Sequence, residues 1–485
     1  MKKISAYRFI MNIEDFLKIE KKYNLNKLQY NGINYWTFNR FRLWNYNICS
    51  EQLHFEEAQD KEKLSSKAVL RLIYYSLFFK KRVSEKPLLV INHNRRSFNG
   101  TFFECVYTDD IIKDKYDAVN FEAPYQYKHF RPAASKEIIY TDRIIIKSIL
   151  RVKLFKKLHK KEYSELVNSI RAELADPVAE LKSIYNWSAS LDSIVRTCAD
   201  TVVRCEYEKK IYTKLIGKIK PKVILEVVHY GRACMLINEI AKEMGITTIE
   251  LQHGTMYKEH AAYQYSEGED IKQLPDKLFA FSEFWKKCIS LPIGDENIIV
   301  TGFPNFEKKL LKYSDSVRED KRKTVIFISQ GTVGRFLSEL AAKTAALLDP
   351  NEYRLIYKLH PAEYSTWRED LPLLADSGME VIDKRDIDLY GLFAQSDIQV
   401  GAYSTALFEG MGFGVQTYIY NIGHYDIMLP LIEQGYAELV TSAEECAEKI
   451  KNSNSESIDG SMFWKRNALD NIRKEIDSII NKSEE

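Results

Sequence analysis

The chain lacks several things, and each absence removes a class of protein. Its seven cysteines, Cys49, Cys105, Cys198, Cys205, Cys234, Cys288 and Cys446, include no C-x-x-C pair and no metal-ligand spacing. An odd, scattered set of this kind argues against a disulfide framework and a bound metal, and fits reduced thiols. No sign of charge is in excess: 70 Lys and Arg against 68 Asp and Glu leave a net +2. That is too little for a generic nucleic-acid binder, so any basic surface must be local. No apolar run approaches the length of a membrane-spanning helix. The start, Met1-Lys2-Lys3-Ile4-Ser5, is followed by Tyr7, Arg8, Asn12, Glu14 and Asp15, so no apolar signal core develops. The expectation is a cytoplasmic protein, with attachment to a membrane surface left open. Repeats of solenoid period are also missing.

What is present is an ordinary globular composition, 45% hydrophobic over 485 residues, enough for two or three domains. Residues 1–85 read as a helical, aromatic-rich segment, with Trp36, Phe38, Phe41 and Trp44 packing on the domain that follows. An α/β domain then spans 86–307. Its strand-like runs Leu88–Asn92 and Ala118–Phe121 end in polar residues, as parallel strands do at their carboxyl ends. After Pro221 the alternation is plain: strand Val223–Val228, helix Arg232–Met244 stopped by Gly245, strand Thr247–Leu251, then strands Lys277–Phe281 and Asn297–Val300. The charged stretch 308–323 reads as a linker. A second α/β domain, 324–460, has strands at Val325–Ile328, Arg354–Leu359, Glu380–Ile382, Ile398–Val400 and Thr417–Tyr420, with helices at 335–347, 388–395 and 404–412 between them. A C-terminal helix occupies 461–485. The expected fold class is therefore α/β, with two doubly wound Rossmann-like domains, an interdomain cleft for ligands and a helical N-terminal segment.

A long helical stretch at 143–218 interrupts the first domain, and its beginning is unusual. From Arg143 to Lys161 there are eight basic residues and no acid, interleaved with Ile144, Ile145, Ile146, Ile149, Leu150, Leu154, Phe155 and Leu158. A basic amphipathic helix suits an anionic membrane surface; it is equally the solvated face of a packed helix. Ser65 to Arg82 is a weaker stretch of the same kind.

Three short motifs stand at strand ends where chemistry belongs. Gln252-His253-Gly254 closes Thr247–Leu251, Lys358-Leu359-His360-Pro361 closes Arg354–Leu359, and Ser404-Thr405 with Glu409 follows Ile398–Val400. Helix-start amides and hydroxyls bind anions well, although a Ser-Thr pair there is also an ordinary cap. A histidine at a strand end is more often structural than catalytic. The loop Ser329-Gln330-Gly331-Thr332-Val333 is a small polar turn suited to a diphosphate, or simply a turn. His229, Tyr230 and Arg232 end the strand beside that of His253, and His93, Arg95 and Arg96 end an earlier one. Arg232 is a plausible phosphate clamp, or an interdomain ion-pair group.

The set Gln-His-Gly, Lys-Leu-His-Pro and Ser-Thr-x-x-x-Glu resembles that of bacterial capsule and wall-polymer transferases of the GT-B fold. These include capsule-synthesis proteins using CMP-activated sugars and CDP-glycerol glycerophosphotransferases, and the His-Pro and Ser-Ser/Thr pairs recur in bacterial sialyltransferases. Asp276–Ser282 leading to Val300–Asn305 is likewise similar to the end of a GT-B amino-terminal domain, and the resemblance covers about 220–425. It implies that 324–460 holds the donor nucleotide, with His360, Ser404 and Thr405 on the phosphate, Gly331 and Thr332 nearby, and Glu409 on the ribose. It implies that 86–307 holds the acceptor, with His253 of the Gln252-His253-Gly254 motif as general base; His229, Arg232 and Arg95 are candidate auxiliary groups from their places at neighbouring strand ends. An ordinary imidazole pKa of about 6.5 would suit that base, with Glu226 and Glu250 as competitors. The Asp/Glu-Asp/Glu-Gly pattern of sialyltransferases is met only partially, by Ser266-Glu267-Gly268-Glu269-Asp270, which weighs against CMP-sialic acid as donor.

The implied function is transfer of a sugar from a nucleotide-sugar donor to a capsular or other surface polysaccharide, or to its lipid-linked precursor. No cofactor, metal or nucleic-acid partner is expected, and an anionic membrane surface is a possible partner. Polyol-phosphate transfer, nucleotide-sugar epimerisation and non-catalytic nucleotide or glycan binding are the alternatives.

Overall fold

The computed structural model describes residues 12–49, 65–78, 83–316, 318, 320–331, 333–384, 387–422, 425–453 and 459–482. Within them the chain forms two units: one holds the residues up to Asn305 together with those from Asn467 on, and the other is Phe306–Arg466.

The first unit is built on seven parallel strands: β1 (Leu88–Ile91), β4 (Ala118–Glu122), β5 (Ile138–Tyr140), β6 (Val223–Glu226), β7 (Thr247–Leu251), β8 (Lys277–Ala280) and β9 (Ile298–Val300). A small antiparallel hairpin, β2 (Arg96–Phe98) and β3 (Phe103–Cys105), stands apart from them. The sheet order is β5-β4-β1-β6-β7-β8-β9. Strand β1 and the first three residues of β6 are continuous aliphatic runs because helices cover both faces of a parallel sheet. Leu89, Phe121 and Ile224 meet Ile237, Ile240 and Ala241 of helix Arg232–Met244, and Tyr212, Ile216 and Ile219 of helix Leu191–Ile219. Gly245, at φ 69°, ends the Arg232–Met244 helix in the left-handed conformation that glycine takes without strain. Chain progression reverses between β1 and β6, so their carboxyl ends flank the crevice in which doubly wound sheets bind ligands.

The stretch expected to be helical at 143–218 is three helices, Asp142–Leu158, Lys160–Tyr185 and Leu191–Ile219. At the start of the chain, Trp36 and Trp44 are buried, and Phe16 lies 5.1 Å from Trp44. Arg40, paired with Glu20 inside this segment, fastens it to the rest of the first unit by donating to two carbonyls of the 261–264 loop. Arg40 Nε is 2.7 Å from Glu20 Oε1, Arg40 Nη2 donates to Gln264 O at 2.7 Å, and Nη1 donates to Ala261 O. Helix Ala468–Lys482 also packs on this unit: Arg473 donates to the carbonyls of Asp110 and Ile111, and Tyr116 donates to Asp477.

The second unit repeats the architecture with six parallel strands: β10 (Lys323–Ile328), β11 (Tyr353–Lys358), β12 (Glu380–Ile382), β13 (Ile398–Gly401), β14 (Gln416–Tyr420) and β15 (Glu438–Val440), in the order β12-β11-β10-β13-β14-β15. Val325, Phe327, Tyr357 and Val400 pack on Leu337, Leu340 and Ala341 of helix Gly334–Ala345 and on Cys446, Ala447 and Ile450 of helix Ala443–Asn452. Here the switch point lies between β10 and β13. Residues 308–312, part of the stretch read as a linker, continue helix Pro304–Tyr313, with Lys309 Nζ 2.7 Å from Asp388.

Each unit is thus a doubly wound α/β sheet, the fold class expected of a GT-B-like chain. Strands β5 and β15 and the β2–β3 hairpin were not foreseen. Among the described residues no helix is long and apolar enough to cross a membrane.

Candidate functional site

At the carboxyl edge of the first sheet, the loops after β1, β6 and β7 bring His93, Arg95, Tyr230 and His253 together around Tyr107. The His93 and His253 rings lie 6.1 Å apart, and Tyr107 is 5.2 Å from His93. Tyr107 donates its hydroxyl to the His253 carbonyl at 2.7 Å, and Arg95 Nη1 donates to Tyr107 Oη at 3.2 Å. The His253 ring is half-buried and its Nε2 is 3.0 Å from Tyr230 Oη. Its Nδ1 is buried without a hydrogen-bond partner. Burial, together with the positive charge of His93, His260, His229 and Arg95, pushes the His253 pKa down to about 3. The ordinary imidazole pKa expected for this residue is therefore not what its surroundings produce. At neutral pH the ring is uncharged and hydrogen-bonded to a phenol.

His229 has a different fate. Its Nδ1 faces Glu250 Oε2 at 2.6 Å and its Nε2 faces Ala262 O at 3.1 Å, so both nitrogens meet acceptors and the ring is an imidazolium. Burial opposes that charge, but the Glu250 carboxylate outweighs it and raises the pKa. Glu250 also accepts from the His229 amide and from Tyr263. Glu226, fully buried on β6, is pushed up to about 7 by burial and by Glu250, and Asn238 donates to it at 2.8 Å. These groups are consumed in holding the floor of the site. Neither Glu226 nor Glu250 is accessible as a base.

Two further groups are already engaged by the packing. Arg232, considered as a phosphate clamp, spends its guanidinium on Glu208 of helix Leu191–Ile219, at 2.9 and 3.2 Å. Gln252, considered as an acceptor contact, donates to Gly254 O at 2.8 Å and accepts from the Phe281 amide at 2.7 Å. Its amide thus fixes the turn that presents His253 and Gly254.

At the carboxyl edge of the second sheet, Ser404 caps helix Thr405–Gly412, its hydroxyl oxygen accepting from the Ala406 amide at 3.3 Å. The hydroxyl hydrogen remains available to a ligand. The helix sits close to β13 because position 401 is glycine: a Cβ there would lie 2.9 Å from Leu407. Tyr403 donates its amide to Gln330 Oε1 at 3.0 Å, joining the loops after β10 and β13 across the switch point. His360 is exposed after β11, and its Nδ1 accepts from the Ala362 amide at 3.2 Å, so a neutral ring carries its proton on Nε2. Gly331 is exposed in the loop after β10, and Thr332 lies outside the described residues. Glu409, one turn into the helix, is 3% exposed.

The sequence reading missed two residues that shape these edges. Glu363 accepts from the His360 amide at 2.6 Å and from Ser329 at 2.9 Å, bridging the β10 and β11 loops. A carboxylate three residues after His360 was a visible signal of such a backbone clasp. Tyr107, which supports the His253 turn, had none, because 146 residues separate the two. Strands β11 and β13 are two strand spacings apart, about 10 Å, so the β10 loop lies between the loops that carry His360 and Ser404.

No family model matches the chain, and no curated protein does. Solved structures similar to it include UDP-GlcNAc 2-epimerase from Methanocaldococcus jannaschii, 11% identical over 81% of this chain and 99% of that one, with a TM-score of 0.48. The wall teichoic acid polymerase TagF is 12% identical over 92% and 99%, TM-score 0.44. MurG from Acinetobacter baumannii is 12% identical over 57% and 80%, TM-score 0.42. Likeness at this level carries no argument about chemistry, which has to come from the residues themselves.

Proposed function

We propose that the chain is a GT-B-type transferase that moves a sugar from a nucleotide-activated donor to a surface polysaccharide or its lipid-linked precursor. One observation carries this reading: the second sheet gathers a hydroxyl-capped helix start, the Gln330–Tyr403 clasp and an Nε2-protonated His360 on three adjacent strands at its switch point. These are hydrogen-bond donors of the kind that hold the phosphate of a leaving nucleotide without a metal or cofactor. In this assignment Ser404, Thr405 and His360 take the phosphate, the Gly331 turn lies beside it, and Glu409, buried one turn into the helix, would have to turn outward to reach the ribose.

On the acceptor side, His253 works with Tyr230 rather than alone. With Nδ1 buried and Nε2 held by the Tyr230 hydroxyl at 3.0 Å, the acceptor hydroxyl reaches the uncharged imidazole through Tyr230, which takes the acceptor's proton as it hands its own to Nε2 while the bond to the departing nucleotide breaks. Polyol-phosphate transfer places the same demands on these groups.

The test is a thermal-shift panel of CMP, CDP, UDP, GDP and their sugar conjugates, since a bound ligand raises the melting temperature by mass action. One nucleotide should stabilise the protein, His360→Ala should remove that shift, and His253→Ala should keep it while abolishing transfer. Absence of a shift with every nucleotide at millimolar concentration refutes the donor site. Turnover without an acceptor would instead indicate an epimerase, and binding without turnover a non-catalytic protein.

A further inference from the structure

We propose that helices Ser66–Phe78 and Asp142–Leu158 form a docking surface for an anionic lipid bilayer, with a lipid phosphate seated in the basic cavity beside them. The two helices pack together in the first unit. Both turn large apolar side chains to solvent: Leu70 and Leu77 on the first are 65% and 61% exposed, and Leu150 and Leu158 on the second are 55% and 64% exposed. Such exposure on neighbouring helices is more than the scattered apolar residues of an ordinary surface.

Past the buried Asp142, every charged residue of the two helices is basic. Helix Ser66–Phe78 contains Lys67 and Arg71 and no acid, and no acid occurs from Arg143 to Lys161. Arg143, Lys147, Arg151, Lys153 and Lys157 are exposed; Lys156 is committed to Asp200 at 2.7 Å. Leucines among exposed basic residues, on helices too polar to span, are the pattern of an element lying in the headgroup region.

A cavity of about 500 Å³ opens beside the first helix, lined by Lys67, Leu70, Arg71, Tyr74, Tyr75 and Lys128. It combines three cationic side chains with two phenols, a donor set for a phosphate ester. His129 completes it, with one nitrogen 2.7 Å from Glu122 and the other 3.0 Å from Asp142. Tyr75 packs 4.4 Å from His129 and 5.2 Å from Tyr140, which fixes the helix to the end of β5. That end belongs to the same carboxyl edge as His93 and His253, so a docked bilayer would lie alongside the proposed acceptor site.

A second copy of the chain is a poor occupant. A two-fold contact would set this basic face against itself, with like charges opposed. An anionic bilayer supplies the complementary charge together with an apolar layer for the leucines. The proposal does not depend on the transferase reading, because binding is measured without turnover.

The experiment is co-sedimentation of the full chain with phosphatidylcholine vesicles, with and without phosphatidylglycerol. Binding should require phosphatidylglycerol at low salt, fall as salt is raised, and resist competition by inorganic phosphate. Lys147→Ala and Lys153→Ala should each weaken partitioning by about fivefold. The pair Leu70→Asn and Leu154→Asn should weaken it while leaving its salt dependence in place. Lys67→Ala with Lys128→Ala should lower the preference for phosphatidylglycerol further. All these side chains lie outside the site described above, so melting temperature and any nucleotide-induced shift should be unchanged. Equal binding to both vesicle types, no binding at low salt, or variants that bind like the wild type would overturn the proposal. So would a dimer in sedimentation equilibrium that Leu70→Asn and Leu154→Asn dissolve, which would assign the face to a second copy.

Discussion

Replacing Arg40 by Met should be among the most damaging single changes to the first unit. Its side chain is 1% exposed and that of Glu20 is 2% exposed, and the two meet through Nε–Oε1 at 2.7 Å and Nη2–Oε2 at 2.8 Å. Arg40 also serves the carbonyls of Ala261 and Gln264, and its guanidinium stacks 4.1 Å above the Tyr265 ring. Removing it leaves a buried carboxylate with the Trp36 indole, at 2.7 Å, as its remaining hydrogen-bond donor of this group. Breaking such a pair costs about 3–5 kcal/mol, and each orphaned carbonyl adds roughly 1 kcal/mol. Removing both charges is a different matter: a Glu20→Leu, Arg40→Met double variant should recover most of the loss, because a buried ion pair and well-packed apolar groups are of similar stability. Urea unfolding followed by tryptophan fluorescence measures each variant, and the cycle gives the coupling, expected at about 2–3 kcal/mol. The effect should reach the site, since the 261–265 loop carries the carbonyl that holds His229 and the Tyr263 that holds Glu250. Hydrogen exchange in that loop should rise in the single variant. A single variant within about 1 kcal/mol of wild type, or a double variant no better than the single, would refute the reasoning.

Other expectations follow from the same geometry. Glu226 is held protonated to about pH 7 in the folded protein, against 4.5 as its ordinary value, so its contribution is full at low pH and is lost as pH rises through that window. Glu226→Gln should match wild type near pH 4.5 and gain relative stability by pH 8, by up to about 3 kcal/mol; parallel stability curves across that range would refute it. A Cβ at position 334 would lie 1.8 Å from Glu363 Oε1, so Gly334→Ala should expel that carboxylate from Ser329 and the His360 amide. It should weaken nucleotide binding, and Glu363→Ala in the same background should restore thermal stability; calorimetry of both checks this. Ser404→Ala removes the cap from helix Thr405–Gly412, costing about 1 kcal/mol of stability, and should also weaken nucleotide binding. Titration calorimetry showing unaltered affinity would leave Ser404 a cap alone.

The sequence by itself determined the elements whose signals are local. The aliphatic runs of β1, β6 and β10, the Gly245 stop and the Ser404 cap all depend on neighbours a few residues away, and all stand where periodicity and turn chemistry put them. The succession of two doubly wound sheets followed from the same signals. Tertiary structure alone decided what each polar side chain does. Arg232 is spent on Glu208 from the preceding helix, His229 is held as an imidazolium by Glu250, and His253 is held neutral by burial among His93, His260 and Arg95. The physical reason is that strand and helix formation depend on contacts within a few residues of the chain. The charge and hydrogen bonds of a buried side chain depend on groups that distant segments bring to it, and those are settled only when the sheet closes around them.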